Sequence, residues 1–201
     1  MIYDVVIIGG GIHGAGVAQA AAAAGYSVLI LEKTAIAHGT SSKSSKLIHG
    51  GLRYLESGQI KLVFECLSER SLLLELAPEL VRLESFFIPI YKHTKRRPWE
   101  IRAGLSLYAA LGKFKREARF EKVPKAQWEN LDGISLTNLQ AVYKYYDGAT
   151  DDAALTRAVI QSAKSLGAEL KIPAEFISAI PGEDVNEIKY SVNGTIHNCK
   201  T

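Results

Sequence analysis

The sequence predicts an α/β fold built on a parallel sheet, and three observations carry that reading. A β-branched run at residues 3–8, YDVVII, stops at three consecutive glycines. Small, helix-permissive residues then run from Gly14 to Ala24, with Gly25 as a stop signal. Residues 27–32, SVLILE, form a second apolar run. Runs without polar alternation suit strands buried on both faces, as in parallel sheets. Strand, glycine turn, helix and strand in this order make a βαβ unit with an expected right-handed crossover.

Further elements follow from local pattern. Residues 34–51 are polar and dense in Ser, Lys and Gly. The spacing predicts a helix over 60–76, with Val63, Leu67 and Leu74 inward, charges on the other face, and Ala77-Pro78 as its end. Residues 86–91 read as a strand near an edge because Pro89 lacks an N–H. A second helix spans 98–111, opened by Pro98, with Ile101, Leu105 and Tyr108 at helical spacing. Residues 141–146 read as a strand. Thr150 or Asp151 caps a helix running to Leu166, which Gly167 closes. Strands at 176–180, 187–192 and 195–200 form a β-meander, turned by Pro181-Gly182 and Asn193-Gly194.

Composition bounds the function. With 47% hydrophobic and 22% charged residues, the 201-residue chain is neither fibrous nor disordered. A formal net charge of +3 gives no reason to expect a nucleic-acid partner. Two cysteines, Cys66 and Cys199, make neither a metal cage nor a disulfide framework, and they suit a reducing compartment. The most apolar stretch, 15–31, is broken by Gln19, Gly25, Tyr26 and Ser27 and is no membrane span. The opening residues lack the basic start of a signal peptide, so a cytoplasmic location is expected.

Gly9-Gly10-Gly11-Ile12-His13-Gly14 fits the G-x-G-x-x-G pattern and lies where the mechanism needs it, after a strand and opening a helix. Gly9 allows the tight turn, Gly11 lets a diphosphate approach the backbone, and Gly14 lets helix and strand pack closely. The diphosphate would face the free N–H groups and positive dipole end of the helix. Glu32 would accept hydrogen bonds from a ribose diol, and its charge disfavours a 2′-phosphate; Lys33 is grouped with it as cofactor-binding. The pattern alone does not separate NAD from FAD. A P-loop is excluded, because Gly112-Lys113 is followed by Phe114.

The most specific stretch is 38–56, HGTSSKSSKLIHGGLRYLE. With the Gly9-to-Glu32 unit it resembles the FAD-dependent glycerol-3-phosphate dehydrogenases. Further matches lie in Glu65-x-x-Ser68-Glu69-Arg70, Pro98-Trp99 to Leu111-Gly112, and Tyr146-Asp147 with Asp151-Asp152-Ala153. The resemblance implies a Rossmann-like FAD-binding domain, 1–70 and 146–201, around part of an α+β substrate or cap domain, 71–145. It implies oxidation of glycerol 3-phosphate to dihydroxyacetone phosphate, with electrons passed to quinone, or to oxygen in a related branch. It assigns Thr40, Ser41, Ser42, Ser44, Ser45 and Lys46 to the flavin ring edge and phosphates, and Gly50 and Gly51 to close backbone approach against the ring. His49 would take the C2 hydroxyl proton, Arg53 would bind the substrate phosphate, and Tyr54 would orient a hydroxyl. The plainer alternatives are serines that only satisfy a loop, a solvated Lys46 and a structural His49. Asp147, Asp151 and Asp152 read as helix caps and dipole partners rather than a metal site.

No Ala-Thr-Gly closing segment occurs, so the chain is expected to be the N-terminal part of a longer enzyme, or a non-catalytic nucleotide-binding fragment, with weak FAD affinity. Residues 92–119 hold nine Lys or Arg against Glu100 and Glu117, interleaved with Trp99, Phe114 and Phe120. Such a patch is expected to hold the protein peripherally on the anionic inner face of a membrane.

Overall fold

A computed structural model describes all 201 residues. In chain order the elements are β1 (Val5–Ile8), α1 (Ile12–Ala23), β2 (Val28–Leu31), β3 (Leu47–Ile48), α2 (Ile60–Leu76) and β4 (Val81–Tyr91). They continue with α3 (Pro98–Leu111), β5 (Phe120–Lys122), β6 (Leu139–Thr150), α4 (Asp152–Ser165) and β7 (Glu169–Lys171). Last come β8 (Glu175–Ile180), β9 (Glu187–Val192) and β10 (Thr195–Lys200). These elements form two compact units, Met1–Lys46 with Asp151–Thr201, and Leu47–Thr150.

The first unit is organised by β2. Its four residues are each at most 1% exposed, as an apolar run without alternation requires. β1 pairs with it in parallel, Val5↔Val28 through Ile8↔Leu31, and β7 pairs in parallel along its other edge. Val28 and Ile30 pack with Ala15, Ala18 and Ala22 of α1 and with Ile160 and Ala163 of α4. Leu29 and Leu31 pack on the other side with Tyr3, Ile188, Tyr190 and Cys199. The alanines explain why α1 carries no large apolar stripe: small side chains let it lie close to its neighbours. The meander β8-β9-β10 is antiparallel, and its second turn places Asn193 and Gly194 at φ 49° and 82°, the type I′ geometry that Asn-Gly favours.

In the second unit β4, β3 and β5 all pair antiparallel with β6. α3 packs on this sheet through Leu105, against Ile90, Ala141 and Tyr143, while Val63 and Leu67 of α2 pack with Tyr108 of α3. Both helices have their expected bounds, and Pro89 lies in an edge strand. β4 and β6 exceed the predicted 86–91 and 141–146. The added residues of β4, Val81 to Ser85, include Arg82 and Glu84, whose exposed side chains form an ion pair of 2.7 Å and interrupt the apolar run.

The unit boundaries at 46/47 and 150/151 differ from the predicted 70/71 and 145/146. β3 pairs with β6, and Arg70 of α2 binds Asp147 of β6, so residues 47–70 and 146–150 fold with the second unit. β7 escapes sequence reading because two of its three residues are charged.

Gly14 is demanded by close packing: a Cβ there would lie 2.1 Å from Gly9 O. Gly14→Ala is therefore expected to lower the unfolding free energy by about 1–3 kcal/mol, measured by urea denaturation followed by far-UV circular dichroism.

Candidate functional site

The first unit builds a cradle at the end of β1. Gly9 turns the chain at φ 104°, and Gly11 precedes α1 as an N-cap without a side-chain cap. The Ile12 N–H donates to Ser41 Oγ at 2.9 Å, while the N–H groups of His13 and Gly14 make no hydrogen bond within the protein. A short rim of unpaired donors thus lies at the positive end of a helix, the chemistry a diphosphate needs. Glu32 shapes the loop. Its Oε2 accepts from Gly10 N at 2.7 Å, and its Oε1 accepts from Thr34 N at 2.8 Å and from Thr34 Oγ1 at 3.1 Å. Burial alone would raise the Glu32 pKa, but the hydrogen bonds from Gly10, Thr34 and Ala35 outweigh it and hold the carboxyl below its ordinary range.

The second unit contains a cavity of about 1090 Å³. Its wall includes His49, Arg53, Tyr54, Arg96, Tyr145 and Asp147. Arg53 and Tyr54 come from a 3-10 turn at Leu52–Ser57, which Gly51 opens at φ 79°. Arg96 lies 3.5 Å from carboxylates of both Glu56 and Glu100. The Tyr145 phenol is pushed up, first by burial and then by the charge of Asp147, so it stays a hydrogen-bond donor at neutral pH.

Beneath this wall lies a buried polar cluster. Arg70 is fully buried, and its Nη1 donates to Asp147 Oδ1 at 2.6 Å, to Tyr108 Oη at 2.9 Å and to the Tyr146 carbonyl at 3.0 Å. Its Nη2 donates to the Glu117 carbonyl at 2.7 Å. Asp147 Oδ1 also accepts from Gly50 N at 2.8 Å, and Oδ2 lies 2.9 Å from His49 Nδ1. A Cβ on Gly50 would fall 1.9 Å from Tyr108 Oη and 2.7 Å from Arg70 Nη1. The need for glycine at 50 therefore comes from inside the unit, from this cluster.

Residues 4–198 match the profile of the FAD dependent oxidoreductase family. The chain belongs to that family. The family's cofactor is FAD, and the unpaired donors at the glycine turn fit its diphosphate. The chain is 43% identical over 180 residues to a glycerol-3-phosphate dehydrogenase of Pseudomonas aeruginosa, covering 89% of this chain and 34% of the relative. The FAD complex of the Bacillus halodurans glycerol-3-phosphate dehydrogenase is similar with a TM-score of 0.71 and 25% identity, over 98% of this chain and 32% of that one. An FAD-bound L-α-glycerophosphate oxidase of Mycoplasma pneumoniae shares the fold, with a TM-score of 0.71 at 16% identity, over 100% of this chain and 52% of the oxidase. The chain spans about a third of the length of the curated relatives it matches.

The structure gathers the predicted residues of this flavoprotein chain unevenly. Gly9, Gly11, Gly14, Glu32 and Ser41 share the cradle. Ser44 and Lys46 face Asp152: Ser44 Oγ donates to Asp152 Oδ2 at 2.8 Å, and the Lys46 ammonium pairs with Asp152 Oδ1. Ser42 Oγ donates to the Gly39 carbonyl at 3.1 Å. Lys33, Thr40 and Ser45 are exposed. His49, Arg53 and Tyr54 meet at the cavity, while Gly50 and Gly51 are buried beside it.

Two expectations are corrected. Asp147 is no helix cap: it lies within β6 and holds His49 and Arg70. Asp151 does cap α4, accepting from Ala154 N at 2.9 Å, and Asp152 stands in its first turn, accepting from Ala153 N at 2.9 Å while it also pairs with Lys46. Nor are the charges of α2 confined to its outer face, since Arg70 is buried with Val63 and Leu67. The signal for Arg70 was present, because 63, 67, 70 and 74 continue one helical stripe and a charge in that stripe needs a buried partner.

The hydrogen bond from Lys46, helped by Ser44, outweighs burial and lowers the Asp152 pKa from an ordinary 3.8 to about 2. A depressed folded pKa gives stabilisation that is complete above about pH 4 and disappears as pH falls through about 2. Acidification across that window is expected to release residues 42–46 from Asp152, seen as lost hydrogen-exchange protection at the Ser44 and Lys46 amides. Asp152→Asn should weaken the same protection already at neutral pH.

Proposed function

We propose that this chain serves an FAD-dependent oxidation of glycerol 3-phosphate to dihydroxyacetone phosphate. The observation that carries the reading is the cavity wall on which His49, Arg53 and Tyr54 meet. The identity to glycerol-3-phosphate dehydrogenases supports it over other oxidations in the same family. When bound, FAD supplies a two-electron acceptor for the hydride leaving C2. Arg53 presents a planar fork to the phosphate, and Arg96 adds positive charge to the same wall, partly offset by Glu56 and Glu100. Tyr54 and the protonated Tyr145 donate to the substrate hydroxyls. His49 accepts the C2 hydroxyl proton, so alcohol becomes ketone with one proton on the imidazole and one hydride given away.

Quinone is proposed as the final acceptor, and the inner face of a membrane as the place of reaction. No helix is long and apolar enough to cross a membrane. α3 and the segment after it favour peripheral attachment: Trp99 is 71% and Phe114 62% exposed, among Lys95, Arg102, Lys113 and Lys115. Aromatic rings at headgroup depth combined with basic side chains are the usual means of interfacial binding.

With FAD in excess and oxygen excluded, glycerol 3-phosphate is expected to bleach the flavin absorbance band, whereas glycerol is not. Arg53→Ala should raise KM for glycerol 3-phosphate by about 10–100-fold, the equivalent of a charged hydrogen bond worth ~1.5–3 kcal/mol. Bleaching by glycerol as readily as by its phosphate ester would refute the phosphate assignment. Reoxidation by a short-chain quinone without peroxide release is the result expected for a dehydrogenase; rapid peroxide formation in air identifies an oxidase. In flotation with phosphatidylserine vesicles, Lys95→Glu, Arg102→Glu and Lys113→Glu together should abolish binding, because each basic residue near an anionic surface contributes about 1 kcal/mol.

A further inference from the structure

We infer that Asp147 is the positioning residue for His49, fixing its proton on Nδ1, and that Arg70 is the buried counter-ion that holds Asp147 in place. The two oxygens of Asp147 have separate tasks. Oδ1 is occupied by Gly50 N and Arg70 Nη1, both donors, while Oδ2 faces His49 Nδ1 at 2.9 Å. An ionised carboxylate only accepts hydrogen bonds, so the shared proton belongs to the imidazole. Nε2 is thereby left with its lone pair, and it has no partner within the protein. The His49 side chain is 55% exposed on the cavity wall.

Arg70 makes the arrangement permanent. Its guanidinium is always charged and fully buried, so it requires a buried anion, and Asp147 supplies one. Tyr108, Tyr146 and Glu117 fix the guanidinium through Oη and two carbonyls, which leaves the carboxylate no other orientation. Catalytic imidazoles that act as bases need this kind of third group to hold the tautomer. What proton Nε2 takes rests on the proposed oxidation, whereas the tautomer itself does not.

The experiment is nitrogen–proton correlation NMR of the protein labelled with ¹⁵N-histidine, with His49 assigned from the spectrum of His49→Gln. A solvent-exposed histidine side chain in water favours the proton on Nε2. Neutral His49 is expected to show the Nδ1–H form instead. Asp147→Asn should invert it: the amide oxygen stays with Gly50 N and Arg70, so the NH2 group faces Nδ1 and the ring proton moves to Nε2. In the FAD-loaded protein the same variant should lower kcat about 10²-fold or more with KM changed little. Wild-type His49 in the Nε2–H form overturns the assignment. An unchanged tautomer in a folded Asp147→Asn protein overturns it as well. Nδ1–H in the wild type without flavin bleaching by glycerol 3-phosphate supports the positioning assignment and refutes the catalytic reading of the cavity.

Discussion

A guanidinium without solvent is the constraint on which the second unit is built. Arg70 is carried into the interior by the apolar stripe of α2, and a charge in that position is tolerated only if anion and acceptors are placed around it. Asp147 of β6, the Tyr108 hydroxyl of α3 and the carbonyls of Tyr146 and Glu117 do this. Three elements far apart in sequence are thereby pinned to one point. Gly50 lacks a side chain because there is no room for one, and its N–H completes the carboxylate's shell. The cavity wall thus inherits its shape from an ion pair behind it.

The first unit answers to a different constraint. β2 is apolar on both faces, and layers above and below it follow from that requirement. At its end the chemistry changes abruptly from Leu31 to Glu32, and the carboxylate gathers Gly10 and Thr34 around itself. Strand burial therefore sets where the glycine turn must lie, and one acidic residue sets its form.

What could be read from the sequence was governed by how local its causes are. α2, α3 and the Asn193-Gly194 hairpin announce themselves through periodicity and turn chemistry, and their bounds hold. The glycine turn was legible because each of its glycines has a separate steric reason. β7 and the first half of β4 were not, since their pairing is imposed by neighbouring strands rather than by apolar runs. At the site, His49, Arg53 and Tyr54 could be named from one short stretch. Asp147 and Arg70 could not be joined, because 77 residues separate them and only the folded sheet brings them together. Ser44 and Lys46 illustrate the same limit: their pairing with Asp152, distant in sequence, is visible only in the folded chain.

The hydrogen bonds of Glu32 have a kinetic meaning. Three donors already fill most of its acceptor positions, and the turn has its working shape before any nucleotide arrives. A ligand that meets this turn finds it already formed, with little chain entropy left to lose on contact. Association at this end is set by encounter rather than by rearrangement.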